Sequence, residues 1–319
     1  MKINIAAVIV TYNRKKDLQK CIEALLSQTF KLSSLYIVDN ASKDNTFEFF
    51  CQENKIEILK IIESKEYCSY FTIINNIKVN YLRLQKNLGG AGGFNLGMSK
   101  AYENKADYIW VMDDDGCPSL NCLENLILNK ELSDYLAPLV LNIENNSELA
   151  FKLDNIQTIE DIPKNKKILE GFACPFNGIL YSKKMIKKIG VPQKELFIWG
   201  DESEYHLRAK HNGFNPITII SAKHYHPKDR MILEKNIFGN KSIVYPEGDL
   251  RKYCKYRNEA YTLKKYEKNY KIKLMKKIIE YTYFFTIQKK MKLKDLGLFY
   301  KAYYHGIKGN LLEHARYVK

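Results

Sequence analysis

The sequence lacks the features of a membrane-spanning or secreted chain. Its 319 residues contain no run that approaches the roughly 18 uncharged apolar residues of a spanning helix, and the best candidate, residues 281–288, is far too short. The first residues lead into a β-like run without the long apolar stretch and the cleavage site of a secretory signal. At 45% hydrophobic and 27% charged residues, the composition predicts a soluble globular chain with a sizeable core.

Paired cysteines are also missing. The seven cysteines contain no Cys-x-x-Cys pair, and their number is odd. This pattern argues against a disulfide framework and against a structural zinc site, and it fits a reducing compartment. We therefore expect a cytoplasmic protein whose cysteines act mostly as small buried apolar side chains.

Acidic residues are scarce at one end of the chain. The formal net charge is +15, and residues 251–319 hold 19 Lys and Arg against 5 Asp and Glu, which leaves 32 against 31 in the first 250 residues. From about residue 250, Lys, Tyr and Leu or Ile mix at helical spacing, which predicts two or three helices. The segment therefore predicts a basic helical region at residues 246–319.

Aromatic residues interrupt the lysines of residues 281–304, a composition typical of a helix that binds an anionic membrane interface. Each cation near such a surface contributes about 1 kcal/mol. We expect peripheral binding to the inner face of the plasma membrane through residues 251–319. A solvated face packed on the rest of the protein, or a coding bias toward Lys, Tyr and Asn, would explain the same composition. No nucleic-acid motif is present, so we expect no nucleic-acid partner.

Short apolar runs alternate with helical patterns over the first 115 residues. The predicted strands are residues 5–10, 35–38, 81–85 and 108–112. This alternation predicts a parallel, three-layer α/β domain, in which ligands bind at the carboxyl ends of the strands. Residues 55–80 do not fit the alternation and indicate an inserted hairpin or a longer strand pair. Turn-forming residues at Gly239-Asn240 and at 246–248 predict a boundary that ends the first domain near residue 245.

Three consecutive carboxylates, Asp113, Asp114 and Asp115, follow the fourth predicted strand. Their mutual repulsion is relieved by a divalent cation, and Mg²⁺ or Mn²⁺ prefers oxygen ligands. If the backbone stays extended, Asp113 and Asp115 point to the same side. An acidic surface loop is the alternative.

A glycine-rich segment, residues 87–95, follows the third predicted strand and opens a helix. Glycines permit close approach of a ligand, and a helix N-terminus favours anions. The segment is not a Walker loop and has poor Rossmann spacing, so a tight turn is an alternative. Asp39 ends the second strand, where its carboxylate suits a nucleobase or a ribose, or caps a helix.

Two later segments carry groups suited to catalysis. Asp201, Glu202 and Glu204 lie within four positions beside Trp199, which suits a general base next to a sugar-stacking ring. A helix N-terminus enriched in acids is the alternative. His224 and His226 alternate on a predicted strand and suit a third metal ligand, although such pairs are often structural.

Taken together, five motifs of this chain resemble family 2 glycosyltransferases. They are residues 8–14, residues 38–42, the glycine-rich segment, residues 110–116 and residues 199–205. Their order and spacing extend over about residues 5–230, and the glycine-rich and Met-Asp-Asp-Asp-Gly elements are most similar to the bacterial galactofuranosyl- and rhamnosyltransferase branch. The resemblance implies a GT-A fold, a nucleoside-diphosphate sugar donor, Mn²⁺ or Mg²⁺, and inversion at the anomeric carbon. It also implies a nucleotide-binding half at residues 1–115 and an acceptor half at 116–245.

The resemblance assigns roles to individual residues. Those implied to bind the donor are Thr11, Asn13, Arg14, Asp39, Asn87, Gly89, Gly90, Gly92, Gly93, Asp113 and Asp114. Those implied to hold the metal are Asp113, Asp115 and His226, with His224 in reserve. By alignment Glu202 is the first choice as catalytic base. Asp201 is the second choice and stays a candidate, because the family often has Asp where this chain has Glu202. Trp199 and Glu204 are implied to bind the acceptor.

The resulting hypothesis is a metal-dependent inverting glycosyltransferase for cell-surface polysaccharide, such as a capsule or a lipopolysaccharide. Its donor would be galactofuranose on UDP or rhamnose on dTDP, and its acceptor a glycan or a lipid-linked sugar. A sugar nucleotidyltransferase is one alternative, but it should carry a Gly-x-Gly-Thr-Arg-like loop where this chain has Thr11-Tyr12-Asn13-Arg14. A non-catalytic nucleotide-sugar-binding protein at the membrane is another, against which the two acidic clusters argue.

Overall fold

The computed structural model of the chain describes residues 3–56, 59–228, 233–237, 239 and 241–318. The chain divides into two compact units, Met1–Lys194 with Ala209–Asp229, and Glu195–Arg208 with Arg230–Lys319. Residues 195–208 therefore group with the C-terminal region, which a single boundary near residue 245 does not anticipate. Part of the predicted boundary turn, Asn240, lies outside the described residues.

The first unit is built on a large sheet. Its strands are β1 (Ile5–Thr11), β2 (Ser34–Asp39), β3 (Leu59–Glu63), β4 (Tyr67–Ile74), β5 (Ile77–Leu84), β6 (Tyr108–Asp113), β7 (Cys117–Pro118), β8 (Tyr135–Asn142), β9 (Glu148–Leu153), β10 (Ile156–Thr158), β11 (Ile168–Glu170), β12 (Asn177–Ser182) and β13 (Ile217–His226). Its helices are α1 (Lys15–Leu26), α2 (Thr46–Glu53), α3 (Gly89–Glu103), α4 (Cys122–Leu128) and α5 (Lys183–Ile189). The helix α6 (Asp201–His211) runs from the second unit into the first.

The central strands of the sheet are parallel, as predicted. β1 pairs in parallel with both β2 and β6, and β2 pairs in parallel with β5. All seven residues of β1 are buried, as expected for an apolar strand covered on both faces. The α/β class expected from the alternation is confirmed. β3, β4 and β5 form antiparallel pairs at one side of the sheet, so the described residues 59–80 form an inserted β3–β4 hairpin whose second strand also pairs with β5.

The glycine-rich segment opens helix α3: residues 89–95 lie within the helix, and Asn87 and Leu88 precede it. A Cβ atom added at Gly93 would lie 2.5 Å from Val10 Cγ1, and one at Gly97 would lie 2.4 Å from Val8 Cγ1. Side chains at these positions would push the helix away from β1. The two glycines therefore set the close packing of α3 on the sheet.

The second unit carries the basic C-terminal region. It contains β14 (Leu233–Lys235), β15 (Lys241–Val244), α7 (Asp249–Tyr266), α8 (Tyr270–Tyr283), a π-helical turn (Phe284–Gln288), α9 (Leu293–Lys308) and a 3₁₀ turn (Glu313–Tyr317). The predicted helical region is thus present. In the part of the chain that the structure describes, no helix is long and apolar enough to cross a membrane.

Most aromatic residues of this region form its core, which corrects the expectation that they face a membrane. Tyr281, Phe284, Phe285, Phe299 and Tyr303 are buried in one cluster, whereas Tyr300 and Tyr304 remain exposed. Tyr281 and Phe299 stack with ring centroids 4.6 Å apart. Burying large aromatic rings stabilises a small helical unit strongly. The mixture of Lys and aromatic residues in the sequence did not show which rings are buried, because that depends on how the helices pack.

Candidate functional site

Three strand ends of the first unit meet at one edge of the sheet. Thr11 lies opposite Asp39 in the β1–β2 pair, and Val10 lies opposite Asp113 in the β1–β6 pair. The predicted polar residues at these strand ends are therefore brought together. This edge is where a parallel sheet places a ligand.

Asp114 is the buried member of the acidic triplet. Its carboxylate accepts a hydrogen bond of 2.7 Å from Thr11 Oγ1 and lies 3.5 Å from Arg14 Nη1. Burial raises the pKa of Asp114 to about 6, although the Thr11 hydroxyl and the Arg14 cation oppose the shift. The sequence argument favoured Asp113 and Asp115 on the condition that the backbone stays extended. Strand β6 ends at Asp113, however, and the turn that follows carries Asp114 into these buried contacts.

Asp115 lies between two cationic groups. Arg14 Nη1 contacts one carboxylate oxygen, and His226 Nε2 lies 3.0 Å from the other. Burial would raise the pKa of Asp115, but the hydrogen bond from His226 and the nearby cations outweigh it and lower that pKa. For the same reason the pKa of His226 is raised, although burial opposes the shift.

His226 and Asp115 form a two-residue arrangement that fits a divalent cation. The Nδ1 atom of His226 lies 2.7 Å from the carbonyl oxygen of Pro227, which directs Nε2 toward Asp115. Among the described residues, however, no three His, Cys, Asp or Glu side chains converge at metal-ligand distance. The full predicted set of Asp113, Asp115 and His226 stays a prediction.

His224, the reserve ligand, is fully buried. A Cβ atom at Gly116 would lie 2.2 Å from its Nε2 atom, and one at Gly178 would lie 2.9 Å from its Nδ1 atom. Neither ring nitrogen forms a hydrogen bond with a described residue, and burial lowers the pKa of His224 to about 3. His226 is therefore the histidine that contacts the acidic triplet.

Asp39 is buried, with both carboxylate oxygens engaged by the protein. One oxygen accepts a hydrogen bond of 2.8 Å from the backbone N–H of Ser42, and the other accepts a hydrogen bond of 2.9 Å from the hydroxyl of Tyr81. The Nε atom of Arg83 lies 4.0 Å away. Sequence reasoning did not identify Tyr81 or Arg83, because both belong to a strand distant in sequence.

The loops after β1 and β2 are tied to each other. Asn13 has a φ of 55°, its backbone N–H donates to Ser42 Oγ at 2.9 Å, and its Oδ1 accepts from the backbone of Lys43 at 2.7 Å. Asn40, which sequence reasoning left without a role, bridges to the start of α3 through the backbone of Leu88 and Gly89, at 2.8 Å each. Residues 12–14 and 40–43, held together by these hydrogen bonds, form the rim of the site beside the carboxylates.

The glycine-rich segment is held at its start by Asn87, whose Oδ1 accepts from the backbone N–H of Gly89 at 2.7 Å. A Cβ at Gly92 would lie 2.4 Å from Leu88 Cβ. Gly92, like Gly93, thus has a packing reason to be glycine. The donor-lining role of Asn87, Gly89, Gly90, Gly92 and Gly93 stays a prediction.

In the second unit, Asp201, Glu202 and Glu204 lie in the first turn of α6. Glu202 Oε2 accepts a 3.1 Å hydrogen bond from the backbone N–H of Gly200, and Asp201 is buried. The helix-terminus alternative therefore describes their position. A base role for either acid stays a prediction.

Glu204 is completely buried and belongs to an ion network. Its carboxylate accepts hydrogen bonds from Arg208 at 2.6 Å, Lys265 at 3.2 Å and the Tyr266 hydroxyl at 2.5 Å. Burial would raise the pKa of Glu204, but the Arg208 cation and the other donors outweigh it and lower that pKa. The network ties α6 to α7, which differs from the predicted contact with an acceptor.

The segment that precedes these acids has an unusual backbone. Phe197 and Trp199 have φ angles of 68° and 62°, and Gly200 has 99°. For a residue other than glycine the left-handed region costs about 1–2 kcal/mol. The sequence pointed to Trp199, but no residue pattern near it predicts these positive φ angles.

Comparison with known proteins gives relatives over most of the chain. The family model described as Glycosyl transferase family 2 matches residues 6–190. The galactofuranosyltransferase GlfT1 of Mycolicibacterium smegmatis is 30% identical over 271 residues, which cover 81% of this chain and 82% of the relative. GlfT1 of Mycobacterium tuberculosis is 30% identical over 281 residues, which cover 82% of this chain and 83% of the relative.

Solved structures share the fold at low identity. S. aureus TarS matches with a TM-score of 0.57 and 13% identity over 99% of this chain, and this chain spans about half of that structure, 50%. The structure of GalNAc-T7 with UDP, GalNAc and Mn²⁺ matches with a TM-score of 0.56 and 12% identity, covering 96% of this chain and 56% of that one. The GT-A fold expected from the resemblance is confirmed.

Proposed function

Because the chain belongs to glycosyl transferase family 2, we propose that this glycosyltransferase moves galactofuranose from UDP to a glycan or lipid-linked acceptor. The observation that carries this proposal is the 30% identity to a galactofuranosyltransferase over 271 residues. Synthesis of a cell-surface polysaccharide, such as a capsule or a lipopolysaccharide, is the process that we propose for it.

The donor site in this proposal lies at the carboxyl ends of the central strands β1, β2 and β6. We assign Thr11, Asn13 and Asp39 to the base and ribose of the donor. Asn13 lies on the rim, whereas Thr11 and Asp39 are the buried last residues of β1 and β2. Arg14 is the exposed cation of the cluster, with its side chain 47% accessible. A guanidinium pairs well with phosphate oxygens, so Arg14 would turn from Asp115 toward the diphosphate.

Asp115 and His226 are the residues that would hold Mn²⁺ or Mg²⁺, with Asp113 as the third ligand. When bound, the ion would neutralise the diphosphate leaving group. The 3.0 Å separation of the Asp115 carboxylate and His226 Nε2 is compatible with two ligands of one cation. Arg14 would release Asp115 as the ion enters, because both cations need the same carboxylate.

The acceptor hydroxyl needs a group that removes its proton, and Asp201 or Glu202 would do so. Once deprotonated, the oxygen attacks the anomeric carbon from the face opposite the leaving group, which gives inversion. Such general-base catalysis contributes about 10²–10⁴-fold in rate. Trp199 would stack on the acceptor sugar, since its ring precedes both acids by two or three positions.

A thermal-shift panel combined with a transfer assay tests the donor. UDP-galactofuranose, dTDP-rhamnose and UDP-GlcNAc are each added with Mn²⁺, with Mg²⁺ or with EDTA. We expect UDP-galactofuranose with a divalent ion at 100 times its dissociation constant to stabilise the protein by about 2.7 kcal/mol and to support transfer. Transfer from dTDP-rhamnose alone would contradict the donor, and equal transfer in EDTA would contradict the metal.

The membrane is the second proposed partner, through the turn between α8 and α9. Ile287, Met291 and Leu293 are 61%, 58% and 60% exposed there. The exposed lysines Lys290 and Lys294 lie among them. Exposed apolar side chains between lysines suit an anionic bilayer surface, where the apolar groups enter the interface and the ammonium groups meet lipid phosphates.

A further inference from the structure

The segment before α6 is fixed by one buried amide on α7. Asn258 Nδ2 donates to three carbonyl oxygens, those of Leu196 at 2.9 Å, Ile198 at 3.1 Å and Trp199 at 2.8 Å. Its Oδ1 accepts from Arg257 Nε at 2.9 Å. Because the nitrogen end faces only acceptors and the oxygen end faces a donor, the amide holds a single orientation.

Arg257 supplies further contacts to the same segment. Its side chain is fully buried, and Nη2 donates to the carbonyls of Glu195 at 3.2 Å and Leu196 at 2.8 Å. Nη1 donates to the carbonyl of Leu311 at 2.5 Å and lies 3.1 Å from His314 Nδ1. Within the described residues, backbone carbonyls rather than a carboxylate compensate this cation. Burying this cation is costly unless hydrogen bonds compensate it, and two of the three carbonyls that do so belong to the segment before α6.

The segment held in this way is the strained one. Phe197, Trp199 and Gly200 all have φ between 62° and 99°. A side chain at Gly200 would be strained by its φ of 99°, and its Cβ would lie 3.2 Å from Asn258 Cβ. Strained backbone persists only where surrounding contacts over-determine it, and such residues cluster at functional sites.

We propose that Arg257 and Asn258 are positioning residues for sugar transfer. They lock residues 196–200, and this lock fixes the direction in which the side chains of Asp201 and Glu202 leave the start of α6. The inference rests on the proposed function, since it takes one of these acids as the base. Neither Arg257 nor Asn258 contacts the reacting atoms in this scheme.

Asn258→Asp tests the proposal with a nearly isosteric change. It replaces the amide nitrogen by an oxygen that faces three carbonyl oxygens, so the segment should leave its strained conformation. We expect kcat to fall about 100-fold while the donor KM changes less than about threefold, as for a misplaced catalytic group. Acrylamide quenching of fluorescence should rise, and it reports on Trp199 because the second tryptophan, Trp110, is fully buried.

Two further variants keep the test decisive. Asn258→Ser removes the three contacts without adding a charge, and it is used if Asn258→Asp does not fold. Arg257→Lys keeps the charge but loses the fork, so it should shift kcat and quenching in the same direction. Arg251→Lys makes the same substitution at an exposed position of α7 and should leave both at wild-type values.

The outcomes separate this proposal from the function on which it rests. A folded Asn258→Ser protein with wild-type kcat overturns the proposal, whether or not its quenching changes. Full activity of both Asp201→Asn and Glu202→Gln would instead refute the base assignment. No transfer by the wild-type protein from any sugar nucleotide would refute the proposed function itself.

Discussion

Asp114 and Asp115 are neighbours in the chain, yet their surroundings move their pKa values in opposite directions. Asp114 accepts a hydrogen bond from Thr11 and lies 3.5 Å from Arg14, yet burial outweighs both and raises its pKa to about 6. Asp115 meets His226 and Arg14, which lower its pKa despite burial. Near pH 7 both carboxylates are thus mostly ionised, but Asp115 keeps its charge to a lower pH because His226 and Arg14 both contact it.

The base assignment predicts a separation of binding from transfer. Both Glu202→Gln and Asp201→Asn are made. The variant that removes the catalytic base should lower kcat about 10²–10⁴-fold. Donor affinity should stay near the wild-type value, because the donor site is assigned to other residues. Calorimetry with UDP-galactofuranose, paired with the transfer assay, measures both quantities. The other variant of the pair serves as the control.

Glu204 gives a pH prediction at the same scale. Its pKa is lowered in the folded state, so its contribution to stability is present above the unfolded pKa and is lost as pH falls through the folded pKa. Glu204→Gln should lower the free energy of unfolding at pH 7 by about 1–3 kcal/mol, because Arg208 loses a buried charged partner.

The difference between Glu204→Gln and the wild-type protein should narrow as pH falls below about 4.3, the usual pKa of a glutamate. Urea unfolding at pH 7 and at low pH measures it. A gap that is constant with pH would contradict a salt-bridged carboxylate. Glu202→Gln, at a half-buried position of the same turn, is the control and should change stability little.

Among the elements, α3 shows how a motif suited to a ligand can serve packing. The glycines of residues 87–95 predicted a site of close ligand approach. In the structure one of them, Gly93, permits the close approach of β1, as does Gly97 one turn later in the helix. Both readings need the missing Cβ. The sequence establishes that something approaches the backbone here, and only the fold identifies the neighbour.

Gly93→Ala should therefore destabilise the protein. The added methyl group would lie 2.5 Å from Val10 Cγ1, and overpacking of this kind costs about 1–3 kcal/mol. Gly297→Ala is the matched control within α9, because nothing lies within 4 Å of its added Cβ. There alanine should be neutral or stabilise by up to about 1 kcal/mol. Thermal unfolding of both variants measures the contrast, and equal effects would contradict the packing role.

For the whole molecule, the formal charge of +15 predicts salt-dependent binding to anionic vesicles. Lys290→Glu with Lys294→Glu should weaken that binding by about thirtyfold or more, at about 1 kcal/mol per lysine lost. Lys187→Glu with Lys188→Glu makes the same net charge change at exposed positions of α5. Co-sedimentation with phosphatidylglycerol vesicles compares them, and an equal loss in both pairs would point to net charge rather than to the α8–α9 turn.

The sequence by itself determined the family, the parallel central strands and the helical C-terminal region. Apolar runs such as residues 5–10 fix a buried strand through their own periodicity, and the five motifs are each local in the chain. Local patterns are visible without a fold. The sequence left two alternatives for residues 55–80, an inserted hairpin or a longer strand pair, because both produce the same local residue pattern.

Only the tertiary structure decided which side chains meet. It placed the Asp114 carboxylate in hydrogen-bond contact with Thr11. It also brought Lys265 and Tyr266, which lie 61 and 62 positions further along the chain, to Glu204. Asn258 likewise contacts the segment before α6. The tertiary structure also turned most C-terminal aromatic rings inward. Such contacts join residues distant in the chain, so their energies depend on the packing of whole elements and no local spacing records them.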